Sequence, residues 1–300
     1  MAHSLTRRLL VAGATSPLGH RVVELLLRSS EVSVTATSRT PERLIDLAAR
    51  GARVRKADYD DPGSLDAAYA GVERLLLVHS NLPGVPALRL RHHRFVVDAA
   101  VRAGVQHITC TSIIRADPGS PSGQVHLATE KLIEDCGIPF TILRLAPFTE
   151  WLFDRISLAL RSGRWPSSAG MGRTAFVASD DAARVATATM LGQIPADQLL
   201  EVTGPVALAP AEVVAVCDGV FGASIDLVPV NQEALATALT DAGMAAPAIE
   251  RAIAMDRNAL EGRADVVRDV VERLTGRAPL DLGAVLIPHR LDLLLASKQT

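Results

Sequence analysis

Residues 13–19, which read Gly-Ala-Thr-Ser-Pro-Leu-Gly, have the types and spacing of a turn that binds a pyrophosphate. The apolar run 9–12 ends at Gly13, and helical periodicity begins directly after Gly19. Where a strand, a glycine turn and a helix follow in this order, backbone N–H groups and the positive helix end meet the anion. The usual middle glycine is here Ser16, which we expect to crowd the turn and to offer a hydroxyl to a phosphate.

Arg39 stands twenty residues after Gly19, at the predicted end of the second strand. A site that prefers NAD normally has Asp or Glu here, bound to the ribose 2′-hydroxyl. An arginine instead suits the 2′-phosphate of NADP, by its charge and by its bidentate geometry. Arg39 therefore favours NADP(H), and the alternative is a solvated loop arginine.

Polar side chains also follow the third, fourth and fifth predicted strands. The carboxyl ends of parallel strands line the ligand crevice of an open α/β sheet, so we expect these residues to contact a cofactor. They are Asp58, Tyr59, His79, Ser80, Asn81, Thr111 and Ser112. For Asp58 and Tyr59 the alternative is a helix-capping carboxylate beside a packing ring.

The commonest short-chain reductases use a Tyr-x-x-x-Lys dyad, whose tyrosine acts as the acid. The sequence has no such dyad, because neither Tyr59 nor Tyr69 has a lysine four positions later. At the expected helix the same spacing is held by His126 and Glu130, which share one helical face. A histidine there could deliver a proton near neutral pH while the glutamate orients it. Ser112 is a further candidate proton donor, and the alternative is a His–Glu pair that only anchors a surface or loop.

Composition narrows the function classes. The chain has 300 residues, 48% of them hydrophobic, and a formal net charge of −2, which gives no argument for binding nucleic acid or an anionic membrane. The three cysteines are widely spaced and form no C-x-x-C pair, so neither disulfides nor structural zinc is expected. His92 and His93 are expected on a long helix, facing solvent or a neighbouring loop, without a carboxylate spaced for a metal.

No apolar stretch reaches the length of a membrane span. The apolar run after Arg7 and Arg8 is shorter than the hydrophobic region of a signal peptide. We therefore expect a cytoplasmic protein.

The order of predicted elements favours a Rossmann-type, doubly wound parallel sheet. Six apolar strands separated by amphipathic helices are predicted at 9–12, 32–37, 52–57, 74–78, 107–111 and 140–145. Beyond residue 150 the pattern becomes mostly helical. We expect a nucleotide-binding domain at 1–152, with 176–204 packing back onto it, and a smaller helical substrate cap at 153–175 and 205–300.

These residues resemble the NmrA-like, atypical short-chain dehydrogenase/reductase family, and within it the bacterial NADPH-dependent quinone reductases. The resemblance covers nearly the whole chain and is carried by segments 13–19, 38–44, 57–65, 74–80, 107–117 and 126–144 and by Asp180-Asp181. It implies that residues of the first turn hold the pyrophosphate, namely Gly13, Thr15, Ser16, Pro17, Leu18 and Gly19. It also implies Arg39 at the 2′-phosphate, with Ser80, Thr111 and the loop of Leu145, Pro147 and Phe148 beside the ribose and nicotinamide.

The loop 145–148, Leu-Ala-Pro-Phe, departs from the asparagine, glycine and aromatic residues that such quinone reductases tend to have there. It predicts a more apolar substrate pocket. We expect an NADPH-dependent reductase that transfers hydride to a quinone-like or conjugated carbonyl substrate. The alternatives are a non-catalytic NADP-sensing protein that binds a protein partner, and a biosynthetic ketoreductase or imine reductase. A homodimer is left open.

Overall fold

The computed structural model describes residues 6–79, 85–193, 195 and 197–298. The chain divides into two compact units. The first comprises residues 1–144 and 182–201, and the second comprises 145–181 and 202–300.

Nine strands are formed by the described residues. They are β1 (Arg7–Ala12), β2 (Val32–Ser38), β3 (Arg53–Lys56), β4 (Arg74–Leu77), β5 (His107–Ile113), β6 (Phe140–Leu145), β7 (Arg164–Ser167), β8 (Gln198–Val202) and β9 (Asp226–Pro229).

Thirteen α-helices accompany them in the described chain. They are α1 (Pro17–Leu26), α2 (Ile45–Ala49), α3 (Pro62–Tyr69), α4 (Pro86–Arg102), α5 (Pro121–Glu134), α6 (Phe153–Ser162), α7 (Ser179–Met190), α8 (Pro210–Phe221), α9 (Gln232–Asp241), α10 (Ala246–Leu260), α11 (Val270–Thr275), α12 (Leu282–Leu286) and α13 (Arg290–Ala296). Short 3₁₀ turns at Pro41–Leu44 and Thr149–Leu152 precede α2 and α6.

The central sheet has the strand order β3-β2-β1-β4-β5-β6-β8. The strands β3, β2, β1, β4 and β5 pair in parallel. The strand order reverses between β1 and β4, and ligands of open α/β sheets bind at the carboxyl ends of the strands at such a point. The predicted Rossmann-type fold is confirmed, with β8 as a seventh strand that the sequence did not predict.

Burial explains why the sheet forms where it does. Leu9 to Ala12 of β1 are fully buried, as a strand covered on both faces requires. On one face α3 packs against α4 and α4 against α5. Between these helices and the sheet lies a hydrophobic cluster that includes Tyr69, Leu75, Leu77 and Ile108. Leu75 and Leu77 alternate along β4, so His79, two residues further, follows on the same face.

The second unit has its own core. Its largest cluster joins α6, α8, α10, α12 and α13 through residues such as Ile156, Phe221 and Leu286. Two four-residue strands, β7 and β9, pair in parallel within a part of the chain that we predicted as mostly helical. Arg155 and Asp256 form a buried ion pair of 2.7 Å that links α6 to α10. Such a pair also requires further hydrogen bonds, which Ser167 and the Ser168 N–H donate to Asp256.

The unit boundaries differ from the predicted ones, which lay at 152, 176 and 204. The first unit ends at Arg144 because the next backbone groups bond within the second unit. The Ala146 N–H donates to the Val202 carbonyl at 2.9 Å, and the Pro147 carbonyl accepts from the Val177 N–H at 3.1 Å.

The described residues form neither a membrane-spanning helix nor a metal-binding cluster. None of their helices has the length and apolar character needed to cross a bilayer. They also contain no group of three or more His, Cys, Asp or Glu arranged to hold a metal ion.

Candidate cofactor site

Gly13 begins the turn after β1 with a positive φ of 88°, a conformation that favours glycine. A Cβ built on Gly13 would lie 3.1 Å from Cβ of Val78 and 3.2 Å from its carbonyl oxygen. Val78 directly follows β4. The glycine therefore lets the turn pack closely against the end of the neighbouring strand, at the point where the strand order reverses.

Gly19 closes the same turn. Its Cβ would lie 2.3 Å from the carbonyl oxygen of Gly13 and 2.9 Å from the carbonyl carbon. Both are backbone atoms, so a larger residue could enter only by moving the turn. The two glycines thus bring the N-terminus of α1, the positive end of the helix dipole, against the carboxyl end of β1. This geometry fits a pyrophosphate.

Ser16 is the N-cap of α1. Its Oγ donates to the Gly13 carbonyl at 2.8 Å and accepts from the Gly19 N–H at 3.1 Å. Its φ of −76° is ordinary for any residue, so the expected crowding from the missing glycine does not occur. Because the Ser16 hydroxyl donates its single O–H to the Gly13 carbonyl, it cannot also donate to a phosphate as expected. Ser16 instead stabilises the turn.

The remaining residues of the turn stand in ordinary helix-start roles. Pro17 occupies the first helical position, where its missing N–H costs nothing, and Leu18 is buried. The cofactor contacts predicted for Thr15, Pro17 and Leu18 stay predictions.

Arg39 follows β2 and is exposed. Thr37 pairs with Ala12 of β1, so Arg39 lies at the same edge of the sheet as the Gly13 turn. The Oγ of Ser38 accepts from the Thr40 N–H at 2.9 Å, which fixes the backbone on either side of the arginine. Within the described chain no carboxylate pairs with Arg39. Its guanidinium therefore remains available for an anionic ligand.

Asp58 and Tyr59 follow β3. One oxygen of Asp58 accepts from the Asp60 N–H at 3.1 Å. The N-cap of α3 is Asp61, so Asp58 does not cap that helix. Tyr59 packs edge-on against the His92 ring, with 5.7 Å between centroids, and burial raises the pKa of its hydroxyl. A packing role for Tyr59 fits these contacts, and the predicted adenine contacts stay untested.

A hydrogen bond joins the ends of β4 and β5. The His79 N–H donates to Oγ1 of Thr111 at 2.8 Å. Both predicted residues therefore lie together at the carboxyl edge of the sheet. Ser80 and Asn81, the other residues predicted after β4, lie outside the described residues.

His126 lies in α5 and is 7% exposed. Its ring stacks on His79 with 3.7 Å between centroids, and its Nδ1 lies 3.4 Å from Oγ of Ser112. Burial, together with the charge of Arg89, lowers the pKa of His126 to about 3. The imidazole is therefore neutral near neutral pH, and its predicted role in delivering a proton stays a prediction.

Glu130 does not orient His126, contrary to the predicted pairing. Its carboxylate forms a bidentate ion pair with Arg144 of β6, with Nε–Oε1 at 3.1 Å and Nη2–Oε2 at 2.6 Å. Charge-assisted, bidentate pairs are stronger than a hydrogen bond to a neutral ring. Helical spacing puts His126 and Glu130 on one face, but the neighbouring strand supplies the better partner.

His92 and His93 are both buried, which contradicts the expected solvent-facing position. The Nε2 of His92 lies 2.9 Å from an oxygen of Asp60, in the loop before α3. The predicted contact of His92 with a neighbouring loop is therefore present. His93 packs edge-on against His79, with 4.1 Å between centroids. The sequence thus missed a buried group of three rings, His79, His93 and His126, because no spacing rule links residues of three different elements.

The segment 145–148 belongs to the second unit. The Thr149 N–H donates to the Val177 carbonyl at 3.0 Å, and the Phe148 ring packs edge-on against Trp151 at 5.1 Å. The predicted roles of Leu145, Pro147 and Phe148 beside a nicotinamide stay predictions.

The turn, the sheet order and the following arginine are the features of a dinucleotide site, and comparison with known proteins agrees. Residues 13–189 match the model of the NAD(P)H-binding family. The chain belongs to this family. Its predicted resemblance to NmrA-like proteins and its predicted cofactor class are thereby confirmed.

Relatives of this NAD(P)H-binding protein include quinone oxidoreductase 2 of Escherichia coli, 40% identical over 179 residues, which are 59% of this chain and 61% of that protein. An NmrA-like family domain-containing oxidoreductase of Aspergillus flavus is 34% identical over 149 residues, 48% of each chain. A crystal structure of an NADPH-dependent quinone oxidoreductase from Escherichia coli, complexed with NADPH, matches with a TM-score of 0.87 and 30% identity. That match covers 94% of this chain and 99% of the other.

The sequence matches to the two curated relatives thus span less than two thirds of their lengths. The family model covers residues 13–189, which include the cofactor turn, whereas the structural match covers 94% of the chain.

Proposed function

We propose that this protein is an NADPH-dependent reductase that acts on quinone-like or conjugated carbonyl acceptors. The observation that carries the proposal is the turn closed by Gly13 and Gly19, followed at the end of the adjacent strand by an exposed Arg39 that pairs with no carboxylate of the described residues. The similarity to quinone oxidoreductases of Escherichia coli supports the acceptor class.

Each residue has a definite task in this proposal. The positive N-terminal end of α1 and the glycine turn before it bind the pyrophosphate, and Arg39 binds the 2′-phosphate through its planar, bidentate guanidinium. When bound, NADPH supplies the hydride. Thr111 holds the end of β4 against β5 through the His79 N–H, which keeps the edge of the sheet in place.

Ser112 is the residue we assign to proton transfer. Its hydroxyl lies beside Nδ1 of a neutral His126, which can relay a proton without changing the charge of the site. A quinone or enone delocalises the negative charge that arrives with hydride. A proton therefore need not arrive with the hydride, and a tyrosine–lysine dyad is not required. When the Ser112 hydroxyl later gives its proton to the reduced acceptor, it takes another from His126, whose ring is reprotonated from solvent.

The first experiment compares NADPH with NADH in equilibrium binding, followed by the fluorescence of the bound dihydronicotinamide. We expect tighter binding of NADPH. Arg39→Ala should weaken NADPH binding by about 10- to 100-fold, as loss of a charged hydrogen bond implies, and leave NADH binding nearly unchanged. The matched control is Arg43→Ala, an exposed arginine four residues later, which should change neither constant.

The second experiment measures NADPH oxidation with a panel of quinones, enones and ketones. We expect turnover with quinones, and a kcat for Ser112→Ala lower by on the order of 100-fold at unchanged NADPH affinity. Protein that binds NADPH but oxidises it with no acceptor of the panel would instead favour the sensor alternative. Failure to bind NADPH at all would refute the proposal.

A further inference from the structure

Arg89 is a buried cation that no acidic residue of the described chain neutralises. It lies in the first turns of α4 and is 6% exposed. Its Nη2 contacts Nδ1 of His79 at 3.0 Å, and its Nε has no acceptor among the residues described. Burial lowers the pKa of its guanidinium. Leaving a charge unpaired in a low-dielectric interior is costly, so buried arginines normally have a carboxylate partner.

Two carboxylates near these helices, one in the loop before α3 and one in α5, are engaged elsewhere. Asp60 contacts Arg91 at 3.1 Å and His92 at 2.9 Å. Glu130 of α5 pairs with Arg144. Neither carboxylate pairs with Arg89, and no ion pair to Arg89 is formed by the described residues.

The rings around Arg89 are neutral and respond to its charge. Since a guanidinium has no acceptor, His79 must accept at Nδ1 and so carries no proton there. The pKa values of His93 and His126 are both lowered to about 3 by burial and, next, by the charge of Arg89. The group is thus one fixed cation surrounded by neutral polar rings.

This cation is held at the edge of the sheet that carries the cofactor turn. His79, its hydrogen-bond partner, is the second residue after β4 and donates its N–H to Thr111 at the end of β5. Val78, the residue before it, packs against Gly13. The position of Arg89 is therefore fixed relative to the strand ends where a dinucleotide and its acceptor bind.

We propose that Arg89 is an anion-binding residue, which takes an oxygen of a phosphate, carboxylate or sulfonate group on a ligand bound at this edge. This inference deepens the proposed function and rests on it. The planar guanidinium donates two parallel hydrogen bonds to such a group. The anion comes either from the diphosphate of the cofactor or from an acidic substituent of the acceptor, and the two sources are separable by experiment.

The test uses the full chain with Arg89→Met, which removes the charge, and Arg89→Lys, which keeps it without the planar fork. The matched control is Arg91→Met, an exposed arginine two residues later on the same helix. Calorimetry gives the dissociation constants of NADPH and of 2′-phospho-ADP-ribose, which has the diphosphate but no nicotinamide. With NADP⁺ bound, it also gives those of 1,2-naphthoquinone and its 4-sulfonate.

If the cofactor supplies the anion, Arg89→Met weakens NADPH and 2′-phospho-ADP-ribose alike by about 10- to 100-fold, and Arg89→Lys weakens them less. If the acceptor supplies it, only the preference for the sulfonate over the parent quinone is lost. The inference is overturned if Arg89→Met, folded as judged by circular dichroism, changes none of these constants, or if Arg91→Met changes them equally.

Binding is measured without turnover, so the outcome is distinct from a failure of the proposed function. A wild-type protein that binds NADPH but reduces no quinone would refute the reductase proposal. The dissociation constants of NADPH and 2′-phospho-ADP-ribose would still decide whether Arg89 binds the diphosphate.

Discussion

Gly19→Ala is the sharpest perturbation of the cofactor turn. The new Cβ would lie 2.3 Å from the Gly13 carbonyl oxygen, 2.9 Å from its carbon and 3.1 Å from Cα of Ala14. The optimal separation of two non-bonded heavy atoms is about 3.5 Å. The turn must therefore open by roughly 1 Å to relieve the 2.3 Å contact. Overpacking of this kind costs about 1–3 kcal/mol of the free energy of unfolding.

The same displacement moves the N–H groups that would bind the pyrophosphate. A misplacement of about 1 Å at a binding constellation can cost on the order of 100-fold. We therefore expect the NADPH dissociation constant of Gly19→Ala to rise by about that factor. Fluorescence titration measures the binding, and urea unfolding at the same pH measures the stability.

Gly63→Ala is the matched control for Gly19→Ala. Gly63 lies in the first turn of α3, and the nearest atom to its added Cβ is an oxygen of Asp61 at 3.4 Å, an ordinary contact. We expect this variant to bind NADPH as the wild type does. A Gly19→Ala protein that is folded and binds NADPH with unchanged affinity would show that residues 13–19 do not hold the cofactor.

Two further predictions concern the buried polar groups of the first unit. The pKa of His93 and of His126 is about 3 in the folded protein and near 6.5 in the unfolded chain. Between these two values the unfolded chain binds protons that the folded protein does not. The free energy of unfolding should therefore fall as the pH falls through this window, by about 1.4 kcal/mol per histidine and pH unit. Urea unfolding at pH 7 and pH 5 should show a smaller fall for His126→Asn than for the wild type, and an equal fall would contradict the assignment. Glu130→Leu should lower the free energy of unfolding by about 3 kcal/mol because it leaves Arg144 without its partner. The double variant Glu130→Leu, Arg144→Leu should recover part of that loss, and the ion pair has no such role if the single variant unfolds like the wild type.

The fold could be predicted from the sequence because its signals are local. Several predicted strands contain a run of buried aliphatic residues that ends at a turn, as Leu9 to Ala12 and Leu75 to Leu77 illustrate. The strands that were missed lack such a run. β7 and β9 are four residues long and contain proline, and β8 has Gln198 and Glu201 among its apolar residues. Their pairing depends on neighbours far away in the sequence, which periodicity does not reveal.

The site was predictable in position but not in its pairings. Residues such as His79 and Thr111 were expected at the cofactor edge because parallel strands end together there. The His126–Glu130 pair failed because helical spacing gives the shared face and not the competitor, and Arg144 arrives from another element. Arg89 carried no signal at all, since an arginine early in a helix is normally solvated.

The distribution of charge at the edge of the sheet bears on the direction of the reaction. Dehydrogenation of an alcohol requires a base to take its proton. The carboxylate of Glu130 is neutralised by Arg144, and the pKa of about 3 makes His126 a weak base. Hydride addition to a neutral carbonyl or quinone creates negative charge instead and needs no base in the hydride step. The states of Glu130 and His126 therefore fit the proposed hydride addition better than a reaction that begins with deprotonation of an alcohol.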